Sequence, residues 1–142
     1  MISLLTGIDS TASALDAERV RMDIISQNIA NANTTRGPNG KPYQRQEVVF
    51  ETVLKAQQDE AAGAGEQTVQ VAHIQNDSRP PRLVYNPGHP DADAHGMVAM
   101  PDINMQQEMV DMITSSRSYE ANLAVVKNAR SMAMQALSIG KH

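Results

Sequence analysis

A short polar segment near the middle of the chain holds the side chains best suited to chemistry. Between His89 and Gly96 it carries His89, Asp91, Asp93 and His95. If the segment were extended, side chains at alternate positions would share one side, and these four could hold a divalent metal ion. The spacing matches neither a calcium loop, which needs Glu at position twelve, nor a helical His pair. We therefore favour a polar turn whose Asp side chains bind nearby backbone amides, with a weak metal site as the alternative.

Other catalytic signatures are missing from the sequence. No Ser lies in a G-x-S-x-G motif, and the glycines of 62–65 lack the Lys-Ser/Thr ending of a phosphate-binding loop. The chain contains no Cys, which excludes disulfides, Cys-ligated zinc and thiol catalysis. A net charge of −4 without a basic run disfavours nucleic acid and anionic membranes as partners. We expect no enzyme, cofactor or small-molecule substrate.

The hydrophobic residues of the chain are of the kind that line helices. Of 142 residues 41% are hydrophobic, yet there is no Trp and only one Phe. Ala, Met, Val, Ile and Leu therefore supply most of the apolar surface, which favours helix packing over a large aromatic core. The N-terminal segment lacks the basic start and apolar stretch of a secretory signal, and no run is long enough to span a membrane. We therefore expect neither a secretory signal nor a membrane-spanning segment.

A long heptad pattern near the C-terminus predicts a helix that pairs with another helix. Eight of ten positions at alternating steps of four and three are apolar or aromatic, and no Pro or Gly interrupts the run. Such a helix would be roughly 50 Å long and needs a partner of similar length. The ten positions are Met105, Met109, Met112, Ser116, Tyr119, Leu123, Val126, Arg130, Ala133 and Leu137.

The N-terminal segment offers that partner. Its pattern predicts a helix from about residue 3 or 9 to about residue 32, which stops where β-branched residues, Gly and Pro follow. The main row repeats every seven residues, while the companion row is mixed. The main row is Met1, Ile8, Leu15, Met22 and Ile29, and the companion row is Leu4, Thr11, Glu18, Ile25 and Ala32.

Polar residues interrupt both helical patterns. In an antiparallel pair Glu18 and Arg130 would lie within a few turns of each other, and we hypothesise that they pair and set the register. The alternative is that each faces solvent or another subunit. Asn28, Asn31 and Asn33 also have two interpretations: they cap the end of the helix, or they form a polar contact surface for a neighbouring chain.

The middle of the chain differs sharply in composition. Residues 36–101 hold all seven Pro and six of the eight Gly, and β-branched or alternating runs predict short strands. The fold class is therefore mainly α with a β-rich insertion, in which two long terminal helices pair as a coiled coil. The predicted segments are 1–35, 36–101 and 102–142, with strands at 43–53, 68–74, 82–85 and 97–100 and a flexible loop near 56–67.

Several of these stretches resemble one family. The segment from Ser26 to Thr35, continued by Tyr43-Gln-Arg-Gln and Val-Val-Phe, closely resembles the N-terminal motif of bacterial flagellar rod, hook and hook-associated proteins. The segment from Asp77 to Pro101 resembles the middle signature of a rod member of that family. The segment from Asn104 to Asn122 resembles its C-terminal signature. Apart from a variable loop at roughly 54–68, the resemblance covers nearly the whole chain.

This resemblance implies a structural subunit of the flagellar basal-body rod, which serves motility. Such proteins leave the cytoplasm through the flagellar type III export apparatus without a cleaved signal and assemble helically in the periplasm. Their terminal helices form an inner coiled-coil layer, with the β-rich part further out. The implied partners are like subunits, other rod proteins and the export-gate adaptor at the rod base, while contacts with peptidoglycan or ring proteins stay open.

The expected assembly interface combines both helices and the Asn segment. Two alternatives are a soluble coiled-coil adaptor, whose helices pair within a discrete dimer, and a small metal-dependent enzyme at the His-Asp segment. The interface residues are Ile8, Leu15, Met22, Ile25, Asn28, Ile29, Asn31, Asn33, Met105, Met109, Met112, Arg117, Tyr119, Glu120, Asn122, Leu123, Val126, Arg130 and Leu137.

Overall fold

The computed structural model describes residues 2–55 and 66–139. Two long helices enclose four strands in the sequence, so the predicted class, mainly α with a β-rich insertion, is confirmed. The last two strands have the predicted bounds. Most of the predicted 56–67 loop lies outside the described residues. The elements are α1 (Ile2–Ala30), β1 (Gln46–Lys55), β2 (Glu66–Asn76), β3 (Arg82–Tyr85), β4 (Met97–Met100) and α2 (Met105–Ile139).

Helices α1 and α2 pack against each other in antiparallel orientation. Asn28 of α1 contacts Glu108 near the start of α2, whereas Glu18, further back along α1, contacts Ser115, further along α2. Residue numbers thus fall on one helix as they rise on the other. Asn104 caps the start of α2, because its side-chain oxygen accepts hydrogen bonds from the first turn. The predicted pairing of the terminal helices is confirmed.

The end of α1 shows what part of the Asn segment does. The helix ends at Ala30, slightly before the predicted residue 32, and a turn follows. The Asn31 side chain donates to the Gln27 carbonyl at 2.9 Å and accepts from the Thr34 hydroxyl at 3.1 Å. Asn31 therefore caps the helix, as the first interpretation holds, whereas Asn33 is exposed.

Helix α2 packs against α1 with a partly different set of positions from the one that the heptad pattern predicts. The row from Met105 to Ala133 at seven-residue steps is partly buried, as predicted. Its companion, however, is the row that starts at Glu108 and Ser115, each only 1% exposed. Of the other predicted seam positions, Met109 (51% exposed) and Leu137 (61% exposed) do not pack against α1, whereas Ser116 and Leu123 are partly buried. The physical reason lies in polar contacts that the pattern does not reveal.

The strands form two antiparallel hairpins. In the first, Gln46 lies opposite Asn76 and Lys55 opposite Glu66, with a bulge between Val49 and Phe50. In the second, Arg82 to Tyr85 pair with Met100 to Met97. The turn before β4 needs Gly96, which has a φ of 75°. A Cβ there would lie 3.0 Å from the Tyr85 ring and 3.1 Å from Pro87.

The apolar core is small for so long a chain. Among the described residues, the buried hydrophobic side chains are Ala17, Ile24 and Ile25 on α1, which packs against α2, β1 and β2, and Val98 on β4, which pairs with β3. Many large apolar side chains stay exposed instead. Neither described helix combines the length and the hydropathy that crossing a membrane requires. The fold thus buries little of its own apolar surface.

Candidate functional site

A single amide side chain joins both helices to the β-rich part. The oxygen of Asn28 accepts from the Gln46 backbone N–H at 2.9 Å and from the Tyr43 hydroxyl at 3.1 Å. Its nitrogen donates to the Gln46 carbonyl at 2.8 Å and to a Glu108 carboxylate oxygen at 3.1 Å. These four bonds use the full capacity of an amide, which allows this side chain to be 1% exposed. Asn28 therefore fixes where β1 begins against the helix pair.

A row of alternating charges runs outward from this amide. The Arg45 Nε donates to the buried Glu108 at 2.6 Å, and an Arg45 Nη lies 3.9 Å from Asp77. Arg79 bridges Asp77 at 2.7 Å and Asp102 at 3.1 Å. Glu108 is deeply buried, Arg45 is one-fifth exposed and Arg79 is about half exposed. Arg45 compensates the negative charge of the buried Glu108 carboxylate. The row as a whole ties α2 to the segments that lead into β1 and β3.

The titration behaviour of two neighbours follows from these contacts. Burial, and then the negative charge of Glu108, raise the pKa of Tyr43 above its ordinary value of 10.0. Tyr43 thus stays protonated and keeps donating to Asn28 at neutral pH. Hydrogen bonds from the Arg79 side chain and backbone lower the pKa of Asp77 below its ordinary value of 3.8. At neutral pH Tyr43 is therefore a protonated hydrogen-bond donor and Asp77 a charged partner of Arg79.

A second polar contact links the helices further along. The Ser115 hydroxyl donates to the Glu18 carboxylate and lies 3.4 Å from the Glu18 carbonyl oxygen. The hypothesis that Glu18 pairs with Arg130 is therefore wrong. Arg130 is exposed and lies fifteen residues beyond Ser115, about 22 Å along α2. The partner of Glu18 on α2 is Ser115.

The His-Asp segment forms turns instead of an extended strand. The Asp93 carboxylate accepts from the backbone N–H groups of His95 and Met97, both at 2.8 Å. These bonds, that of Met97 first, lower the pKa of Asp93. His89 accepts from the Asp91 N–H at 3.1 Å. The polar-turn interpretation is confirmed. The alternative, an extended segment with these side chains on one side, is not what forms, because local turn geometry uses the side chains.

Asp91 connects this turn to the segment after α1. It accepts from the Thr35 hydroxyl at 2.8 Å and lies 3.8 Å from the Arg36 guanidinium. In the described ranges, 2–55 and 66–139, no three His, Asp or Glu side chains are grouped so that they could hold a metal ion. The arrangement thus supports loop-to-loop packing.

The outer surface of α2 is unusually apolar for an exposed helix. Large apolar side chains are exposed at both its beginning and its end, and a soluble monomer rarely exposes so many together. Arg117 and Glu120 lie among them and are also exposed. We call the following residues the outer apolar set: Met109, Val110, Ile113, Val125, Met132, Met134, Leu137 and Ile139.

The predicted interface residues divide into three groups by exposure. Those that are buried contact this chain itself, and those that are exposed remain open to a neighbour. Ile25 and Asn28 are buried; Ile8, Leu15, Met22, Ile29, Asn31, Met105, Met112, Tyr119, Asn122, Leu123 and Val126 are partly buried; Asn33, Met109, Arg117, Glu120, Arg130 and Leu137 are exposed.

Sequence reasoning missed Arg45, Glu108 and Ser115. A weak signal existed, because Glu108 and Ser115 fit the heptad spacing beside Met105 and Met112 as well as the row from Met109 does. Because Glu108 and Ser115 are polar, they were not predicted to lie in the helix seam. Arg45 lies within a stretch that resembles the family motif, but its spacing does not reveal that it reaches Glu108.

Comparison with known proteins identifies the family. Residues 8–38 match the model "Flagella basal body rod protein", and residues 94–139 match "Flagellar basal body rod FlgEFG protein C-terminal". The chain is 40% identical to the flagellar basal-body rod protein FlgC of Borreliella burgdorferi over 97% of its own length and 98% of that protein. It belongs to the FlgC family of flagellar basal-body rod proteins.

The chain is similar to other FlgC proteins over nearly the whole length of both. Identity is 41% to FlgC of Yersinia enterocolitica, over 99% of this chain and all of that one. It is 42% to FlgC of Bacillus subtilis, over 94% of this chain and 96% of that one. The resemblance seen in the sequence is thus confirmed, and the chain is a structural subunit of the rod in the flagellar basal body.

Proposed function

We propose that this FlgC subunit assembles with copies of itself and with other rod proteins through the outward faces of its terminal helices. The observation that supports this is the outer apolar set of α2, in which Ile113 and Val125 are each more than half exposed. Burial of apolar area between subunits would provide the main driving force for association. The partly buried rows of both helices would complete the interface once neighbours pack against them.

In the proposed arrangement the segments 1–35 and 102–142 form the inner layer of the rod, and residues 36–101 lie further out. The β hairpins have a charged and turn-rich surface, which suits the outside of the rod. The outer apolar set of α2 suits the inner layer of the rod, where neighbouring subunits would cover it. The exposed members of the predicted interface, among them Met109, Arg117 and Leu137, would contact neighbouring subunits. An export-gate adaptor would meet the rod base.

The proposed location is the periplasmic part of the basal body, reached through the flagellar type III export apparatus without signal cleavage. The family places the protein in the basal body, and the proposed route is the one that the family resemblance implies. Mass spectrometry of isolated basal bodies should find the protein with its N-terminal sequence intact. A truncated N-terminus together with export in a strain that lacks the type III apparatus would contradict this route.

The assembly surface is tested by placing a charge within it. Ile113→Asp should abolish rod assembly and swimming when it is the only copy in the cell, because a buried carboxylate without a partner strongly opposes association. The measurements are motility in soft agar and electron microscopy of isolated basal bodies. Asn128→Asp, at an exposed polar position of the same helix, adds the same charge and should retain assembly.

Circular dichroism of both purified variants should match that of the unmodified chain, since neither position is buried in the monomer. Normal rods that contain Ile113→Asp would overturn the proposed surface.

A further inference from the structure

Two rows of α2 compete to face α1. One continues from Glu108 through Ser115 and Asn122 to Ala129, and the other starts at Met109, one residue later, and includes Leu123 and Leu137. Both rows have heptad spacing relative to the shared row of Met105 and Met112, so helix geometry alone does not choose between them. Apolar burial favours the second row. The structure nevertheless buries Glu108 and Ser115 of the first row and exposes Met109 of the second, while Asn122 and Leu123 are both partly buried.

Polar contacts made by the first row account for this choice. Glu108 receives hydrogen bonds from Arg45 at 2.6 Å and from Asn28 at 3.1 Å, and Ser115 donates to Glu18. These contacts come from α1 and from Arg45, the residue just before β1, and they reach α2 at two successive heptads. Hydrogen bonds are directional whereas apolar attraction is not, so two such contacts define one rotation of the helix.

We propose that Glu108 and Ser115 act as a rotational lock on α2. The lock holds Glu108 and Ser115 against α1 and thereby keeps Met109, at the start of the competing row, exposed and available to a neighbouring subunit. Polar residues in a helix seam are known to fix register at some cost in stability. The part that concerns neighbouring subunits rests on the proposed assembly function, whereas the rotation itself does not.

Released from the lock, α2 would rotate so that the row of Met109 replaces the row of Glu108 beside the shared row of Met105 and Met112. This is a rotation of roughly 50°, half the angular step between consecutive residues, because the shared row stays in the seam. Met112 belongs to the shared row and would stay partly buried in either setting. Reactivity at these two positions therefore distinguishes rotation from unfolding.

The absence of Cys from the chain makes single-cysteine labelling a clean test. Met109→Cys and Met112→Cys are each made in the unmodified chain and in the double variant Glu108→Ala/Ser115→Ala. The full-length protein is labelled with iodoacetamide, a neutral reagent, at concentrations where it is monomeric. With the lock intact, Met109→Cys should react about tenfold faster than Met112→Cys, because exposure governs access to the thiol.

In the double variant Met109→Cys should slow to about the rate of Met112→Cys. Loss of the neighbouring Glu108 carboxylate would by itself speed the reaction, since a nearby negative charge raises a thiol pKa. Slowing therefore reports burial. The matched control Thr114→Ala/Asn128→Ala removes two exposed polar side chains from the same helix and should leave both rates unchanged. A fast Met109→Cys beside a slow Met112→Cys in the double variant would overturn the lock.

Equal, fast labelling at both positions would mean that the double variant has unfolded. The single change Ser115→Ala then decides, because it leaves Asn28, Arg45 and Glu108 in place. It should slow Met109→Cys about twofold while Met112→Cys stays slow, and an unchanged Met109→Cys rate would refute the lock.

The same variants separate this inference from the assembly function. If labelling shows rotation but the double variant still builds normal rods, the lock stands and the proposed assembly surface fails. If labelling shows no rotation, the lock fails whatever the cells do.

Discussion

The two ends of the helix pair differ in how they are held. At the junction end, Asn28 and Glu108 are buried and every polar group of the amide has a partner. At the distal end, Met132 and Leu137 lie more than half exposed, although they are the kind of residue that normally lines a core. Among the described residues, the specific side-chain contacts between the helices thus lie toward the junction end, and exposed apolar surface lies at the distal end. We infer that the junction defines the fold of the subunit, whereas the distal end depends on neighbours.

The largest expected effect comes from removing the centre of the junction. Glu108→Ala leaves Arg45 and Asn28 without their buried partner, and loss of one member of a buried ion pair typically costs 3 to 5 kcal/mol. We expect a value near the lower limit, about 3 kcal/mol, because Arg45 is one-fifth exposed and keeps Asp77 nearby. Urea unfolding followed by circular dichroism measures it.

The control for this change is Glu120→Ala, which removes the same side chain from an exposed position of the same helix. It should alter the free energy of unfolding by less than about 0.5 kcal/mol. Equal effects of the two substitutions would remove the contrast between the junction and the rest of α2.

An effect of intermediate size concerns the local stability of α2, which should differ between the junction end and the distal end of the helix pair. In the isolated subunit, backbone amides around Met132 should exchange with solvent about a hundredfold faster than those around Ser115, because few contacts oppose local opening there. Hydrogen exchange followed by mass spectrometry measures this. In assembled basal bodies the difference should shrink as neighbours cover the distal end. Uniform protection along α2 of a dilute monomer would favour a self-sufficient hairpin, such as the soluble adaptor considered from the sequence.

The smallest effect concerns acid stability of the turn before β4. The pKa of Asp93 is lowered in the folded chain, so its charged form contributes stability above its ordinary pKa of 3.8, and this contribution is lost as pH falls through the lower folded value. Asp93→Asn should make the stability of the β3–β4 hairpin less dependent on pH below about 4. Nuclear magnetic resonance shifts of Met97 and Tyr85 against pH measure it, and an identical pH dependence would contradict the assigned role.

Much of the architecture could be predicted because it follows from local chemistry. Strands β3 and β4 have the predicted bounds, since β-branched and apolar residues there are enclosed by Pro, Gly and Asn turns. The length of α2 followed from a run without Pro or Gly. The polar turn around Asp93 was also predictable, because Asp readily accepts from amides two residues ahead.

The row that faces α1 could not be predicted because its cause is not local. Heptad counting ranks side chains by hydropathy, and by that measure Met109 outranks Glu108. The groups that compensate Glu108 come from 63 residues away at Arg45 and 80 residues away at Asn28. The same limit explains why Glu18 was matched with Arg130 by charge, when a hydroxyl at Ser115 is its partner.

The alternating charges from Glu108 to Asp102 also have a mechanical consequence. Along the backbone, the β hairpins connect to α1 only through residues 31–45, a stretch of turns that would straighten first under tension. The Asn28 amide and the Arg45 guanidinium bridge this stretch in parallel with it. A shearing force on the hairpins must break several short bonds at once before the turns can extend. The hairpins are therefore held to the helix pair by these side-chain bonds as well as by the backbone.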